Sequence, residues 1–147
     1  ELLNIDADPR LQGFDTCSFH IAIATNVLHA TRYMRNTMRN CHGLLWRGGY
    51  CLINEALRTT AFAQVPFGLT DGWWMFTNDP ERKGQQCPLM PWECWRTLLT
   101  MAGFGHVHCM RGASILQGQA IILAQAATQE QATAETLQEG THLLSGG

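Results

Sequence analysis

Four polar side chains stand at the ends of two short apolar runs. The first run, residues 19–25, reads Phe-His-Ile-Ala-Ile-Ala-Thr and gives way to Asn26 and His29. The second, residues 50–53, reads Tyr-Cys-Leu-Ile and gives way to Asn54 and Glu55. An imidazole and a carboxylate are groups that take up or hold a proton. An amphipathic stretch separates the runs, so the three segments predict a β-α-β unit with its polar residues at the carboxyl ends of both strands. In open α/β sheets, ligands bind at that end.

The elements that would position these residues follow from periodicity. Residues 19–25 are almost continuously apolar, as in a strand buried on both faces, with His20 near the strand entrance bonded to backbone. Residues 31–45 predict a helix. Tyr33/Met34, Met38, Cys41 and Leu44/Leu45 recur at three- and four-residue steps, and Arg32, Arg35, Arg39 and Asn40 fill a solvated face. Thr31 is the expected N-cap. Arg47-Gly48-Gly49 ends the helix and turns the chain into a strand over 50–54.

Residues 61–76 are strongly apolar but broken by Pro66, Gly68 and Gly72, which predicts an interrupted helical lid. A polar loop follows over 78–88. Pro91 opens a helix at its first turn, with Trp92, Trp95, Leu98, Leu99 and Met101/Ala102 inward and Gly103 as its stop. Residues 104–110 and 117–125 read as strands. Their short connection over 111–116 predicts an antiparallel hairpin, and hence a mixed sheet. Residues 1–8 read as the end of a strand. From residue 126 the composition shifts to Ala, Gln, Glu and Thr, which predicts a linker or tail over 126–147 after a domain over 1–125.

Composition narrows the function classes. The 147 residues suffice for one domain. The net charge of −2 and the lack of a basic block argue against nucleic acid as a partner. No apolar run approaches the roughly 20 residues that span a bilayer, so no membrane partner is expected. The six cysteines form no CxxC pair, and no Cys/His set has zinc-finger spacing, so no metal is expected. They read as reduced thiols of a cytoplasmic protein. The chain begins at Glu1, inside what looks like a strand end, and reads as a piece of a longer polypeptide.

Several blocks carry a family resemblance. They are Phe19-His-Ile-Ala-Ile-Ala-Thr-Asn-Val-Leu-His-Ala-Thr31, Leu44-Leu-Trp-Arg-Gly-Gly49, Leu52-Ile-Asn-Glu55 and Phe67-Gly-Leu-Thr-Asp-Gly-Trp-Trp74. Pro88-Leu-Met-Pro-Trp-Glu-Cys-Trp95 and Ala102-Gly-Phe104 continue the pattern. Over residues 3–125 the chain resembles the second half of a class I S-adenosylmethionine-dependent methyltransferase, and more narrowly the C-methyltransferase domains of polyketide synthases. The fold class this implies is α/β, a truncated Rossmann-like sheet ending in an antiparallel hairpin.

The resemblance implies a catalytic pair, His29 and Glu55. A β-ketoacyl thioester loses an α-proton before its carbon attacks the methyl sulfonium. An imidazole suits that base, and a carboxylate on its other nitrogen fixes the tautomer. Taken alone, His29 reads equally as a helix-cap histidine. Asn4, Asp6 and Asn26 are the implied cofactor contacts, with capping as the alternative for Asn26. Phe67, Trp73 and Trp74 are the implied substrate channel, with core packing as the alternative for the tryptophans.

The family's glycine-rich turn after the first strand and ribose-binding acid ending the second are not present in this chain. The expectation is therefore no cofactor for this chain alone, and S-adenosylmethionine if the other half is supplied. Implied partners are neighbouring polyketide synthase domains and an acyl carrier protein. A partner chain or dimer mate would cover the exposed edge of the strand at 19–25, the fourth in the family's sheet. The favoured functional reading is a truncated, non-methylating domain with a structural or docking role. The alternatives are half of an active C-methyltransferase, or a repurposed cofactor-free acid/base site.

Overall fold

The apolar run expected as a strand is one: β1 spans Phe19–Thr25. α1 (Met34–Leu44) carries the chain to β2 (Leu45–Ala56), which lies parallel to β1 with Ile21 opposite Tyr50 and Thr25 opposite Asn54. After α2 (Ala61–Phe67) and a 3-10 helix at Asp71–Asn78 come α3 (Trp92–Met101), β3 (Phe104–Met110) and β4 (Gln119–Ala126). β4 inserts between β2 and β3 and is antiparallel to both, so the sheet runs β1-β2-β4-β3. This is the mixed α/β sheet, ending in an antiparallel pair, that the sequence led one to expect. The computed structural model describes residues 1–110 and 118–128. The expected hairpin connection at 111–116 and all but the start of the expected tail lie outside those residues.

The core lies on one face of the sheet. Met34, Met38 and Cys41 of α1 and Trp95, Leu98 and Leu99 of α3 pack on Cys51, Ile53, Ile122 and Ala124 of the inner strands. That one-sided cover explains the first departure from expectation. β1 is buried on neither face as a whole: Ala22 and Ala24 turn toward the core, while Ile21 and Ile23 are 60% and 71% exposed. Its far edge pairs with no other strand among the described residues. His20 is not bonded through backbone at a buried entrance; it is exposed and stacks on Trp46 with ring centroids 6.2 Å apart.

Other boundaries move for local reasons. Residues 1–8 form no strand. Gln12 exchanges hydrogen bonds of 2.8 Å with the backbone of Asn4, and Asn40 Nδ2 donates to the Ile5 carbonyl at 2.9 Å, so side chains take the place of a ladder partner. Thr31 does not cap α1. Its hydroxyl donates to the Leu28 carbonyl, and the cap position is Tyr33. β2 begins at Leu45 rather than Tyr50, and Gly48-Gly49 lie within it. A Cβ on Gly49 would come within 2.8 Å of the Trp46 carbonyl and 3.0 Å of the His20 carbonyl. Glycine here allows two backbones to approach at the register shift between Phe19 and Ile21. The interrupted lid is observed, with α2 ending at Phe67 ahead of the 3-10 segment. Its N-cap Thr60 accepts from Ala63 N. No helix among the described residues is long and apolar enough to cross a membrane.

Candidate functional site

The site begins with how the chain leaves β1. Asn26 adopts a left-handed conformation (φ 47°), uncommon outside glycine but tolerated by asparagine. Its amide donates to the Asn54 carbonyl at 2.8 Å, and its Oδ1 accepts from Ala56 N and Gln119 Nε2. The turn directs the next two amides back at the end of β2, where Glu55 points to the core face with 0% side-chain exposure. Glu55 Oε1 accepts from Val27 N at 2.9 Å and Leu28 N at 2.8 Å. One turn of 3-10 helix, Leu28–Ala30, then swings His29 round so that Nδ1 lies 2.6 Å from Glu55 Oε2.

Burying a carboxylate costs several kcal/mol unless it is paired and hydrogen-bonded. Here both oxygens of Glu55 are bonded. Because a carboxylate only accepts, Nδ1 is the donor, and a neutral His29 ring keeps its lone pair on Nε2. No residue among those described bonds that second nitrogen. The His29 side chain is 14% exposed and forms part of the wall of a cavity of about 320 Å³. Asn26, Arg58, Phe67, Trp73 and Gln119 share that wall. Trp73 meets the imidazole edge-on at 6.2 Å and stacks on Phe67 at 5.6 Å. The arrangement is an oriented base opening into a mostly apolar cavity, and it can withdraw a proton from a bound molecule.

Of the residues expected at the site, His29, Glu55, Asn26, Phe67 and Trp73 come together. Trp74 does not line the cavity; it stacks on Phe76 and donates from Nε1 to the Gly68 carbonyl at 2.8 Å. Asn4 and Asp6 lie elsewhere. Asn4 Oδ1 accepts from Asp6 N, while Asp6 Oδ1 accepts from Arg32 N beside a separate hollow lined by Arg39 and Asn40. The three residues expected against S-adenosylmethionine therefore do not converge, and their side-chain oxygens are already engaged within the chain. The described residues do not by themselves form a cradle for that group.

Two residues of the supposed polar loop were missed. Asp79 and Arg82 are buried, Arg82 to 1% exposure. Arg82 Nε donates to Asp79 Oδ2 at 2.7 Å, and its other nitrogens donate to the carbonyls of His29 (2.7 Å), Thr31 (2.5 Å) and Arg32 (3.2 Å). Asp79 Oδ2 also accepts from Met34 N, the first residue of α1. Burial pulls the Arg82 pKa down from its ordinary value, opposed by its bond to the Asp79 carboxylate. The one sequence signal was Asp79-Pro80, the start of a short 3-10 turn in which Asp79 Oδ1 accepts from Glu81 N.

No protein-family model matches the chain. It is 37% identical over 124 residues to polyketide synthase ThaQ of Burkholderia thailandensis, covering 84% of this chain and 6% of that one. The polyketide synthase CMeT domain for citrinin superposes with a TM-score of 0.75 at 33% identity, covering 87% of this chain and 32% of the domain. The trans-methyltransferase CalH, solved in complex with SAH, superposes with a TM-score of 0.74 at 32% identity, covering 86% of this chain and 35% of CalH. The chain thus spans a small part of the synthase and about a third of each solved methyltransferase.

Proposed function

We propose, for a chain that belongs with the C-methyltransferase domains of polyketide synthases and spans about a third of one, that it carries the acid–base part of the methylation site. His29 Nε2 takes the α-proton of a β-ketoacyl thioester presented by an acyl carrier protein. Glu55 holds the ring in the tautomer with Nδ1 protonated and stabilises the imidazolium that forms. The thioester and β-keto carbonyls delocalise the carbanion, so the bond broken is the α-carbon–hydrogen bond and the proton rests on Nε2. In the intact domain that carbon would then be methylated with S-adenosylmethionine as donor. Neighbouring synthase domains are the partners this reading implies. The domain is read as 1–125, with 126–147 as linker or tail.

The observation that carries this reading is the 2.6 Å contact between His29 Nδ1 and Glu55 Oε2 on the wall of the cavity. Unlike a purely structural contact, the pair leaves His29 Nε2 without a bond among the described residues, beside the cavity.

The test needs no methyl donor. Incubation with the N-acetylcysteamine thioester of 3-oxobutyrate in deuterium oxide, followed by NMR, reads deuterium entry at the α-carbon. The expected outcome is exchange above the buffer rate in the unaltered chain, lost in His29→Ala. A second reading, the non-methylating domain with a structural or docking role, draws support from the failure of Asn4, Asp6 and Asn26 to converge. It predicts no exchange above buffer in either protein.

A further inference from the structure

We propose that Arg82 is a positioning residue for His29, acting through the backbone of the turn that carries it, with Asp79 holding Arg82 in place. The inference rests on the acid–base reading of His29 above.

Residue 29 is held from both sides. On its amino side, the amides of Val27 and Leu28 are fixed to Glu55 Oε1. On its carboxyl side, the carbonyls of His29, Thr31 and Arg32 converge on one guanidinium. With the backbone clamped, the ring has two side-chain torsions left, and the bond from Nδ1 to Glu55 fixes them. Removing the clamp frees the turn at its carboxyl end while leaving Glu55 and the imidazole chemically intact. Arg82 is not itself part of the cavity lining and makes no bond to the imidazole; it reaches the site through the His29 carbonyl.

Arginine suits the place because its planar fork presents donors in fixed directions. Asp79 joins the same carboxylate oxygen to Arg82 Nε and to Met34 N, which ties the clamp to the start of α1. The Arg82 guanidinium also lies 5.5 Å over the ring of Phe76, in the segment that carries Trp73. The base, the helix start and the wall of the cavity therefore meet at one buried cation. A lysine could keep the charge and one or two carbonyls, but not the set.

The test uses the full chain with Arg82→Lys and Asp79→Asn. Two readouts are taken on each: the deuterium exchange rate, divided into kcat and KM, and the downfield proton resonance of the His29 Nδ1–H held by Glu55. For a folded Arg82→Lys, kcat is expected to fall roughly tenfold or more, since small misplacements of a reacting group are costly, with KM changed less than about twofold. The Nδ1–H resonance broadens or is lost while the amide spectrum stays dispersed. Asp79→Asn falls between, and carries the test if Arg82→Lys does not fold. A folded variant with unaltered kcat and a sharp Nδ1–H resonance overturns the proposal. If the unaltered chain exchanges no faster than His29→Ala, the acid–base reading fails instead, and the resonance alone still decides whether Arg82 positions the ring.

Discussion

Two buried pairs of opposite chemical character lie back to back in this chain, His29 with Glu55 and Arg82 with Asp79. They share the turn at residues 28–32 and are built alike: each has a carboxylate that also accepts from backbone amides, Val27 and Leu28 for Glu55 and Met34 for Asp79. The cations differ. Every nitrogen of Arg82 donates within the chain, to one carboxylate and three carbonyls. His29 gives one nitrogen to Glu55 and keeps the other free of partners beside a cavity. A pair whose every nitrogen is bonded within the chain holds structure. A pair with one ring nitrogen left over can move a proton.

That contrast predicts opposite profiles on mutation. The largest stability effect belongs to Arg82→Met, which strands a buried Asp79 and orphans three carbonyls. Unfolding free energy by urea titration is expected to fall by about 3–5 kcal/mol. A loss under about 1 kcal/mol would break the distinction. Glu55→Gln comes next, with deuterium exchange dropping roughly hundredfold because the neutral amide neither selects the tautomer nor stabilises imidazolium. Its stability is expected to change by about 1–2 kcal/mol, since the amide oxygen still accepts from the turn.

A second, half-buried histidine sharpens the comparison through pH. His42 lies edge-on to Phe104 at 5.1 Å, and burial lowers its pKa from the ordinary 6.5. In the pH range just below 6.5 the unfolded chain binds the proton that folded His42 resists, so its contribution to stability is full above 6.5 and falls as pH drops toward the lowered value. His42→Gln is expected to flatten the slope of the urea midpoint between about pH 7 and 5. An unchanged slope would remove His42 as the cause. The smallest effect is expected at Trp74→Phe. Trp74 stands outside the cavity, and its exchange rate should stay within about twofold of the unaltered chain. A larger loss would place it in the working site after all.

The sequence made one half of this architecture readable and hid the other. β1 was legible to the residue because a run of apolar side chains is a local signal, while the pairing of His29 with Glu55 came from the family resemblance. Its burial was not legible, because that depends on which elements lie on each face, and α1 and α3 both lie on the same one. Thr31 looked like a cap by composition. The start of α1 is instead served by Asp79, 45 residues away in sequence, which no window of neighbouring residues can reveal. Arg82 was hidden for the same reason. Three of its acceptors are backbone carbonyls, which carry no residue identity, so the segment read only as a polar loop.

The most direct test of the account is the rate of deuterium entry at the α-carbon of a β-ketoacyl thioester, compared between the unaltered chain and His29→Ala. The account predicts a difference of roughly 10²–10⁴-fold, the usual contribution of a positioned general base, with both proteins folded. Equal rates in two folded proteins would contradict it and leave the His29–Glu55 pair as a structural contact like its neighbour.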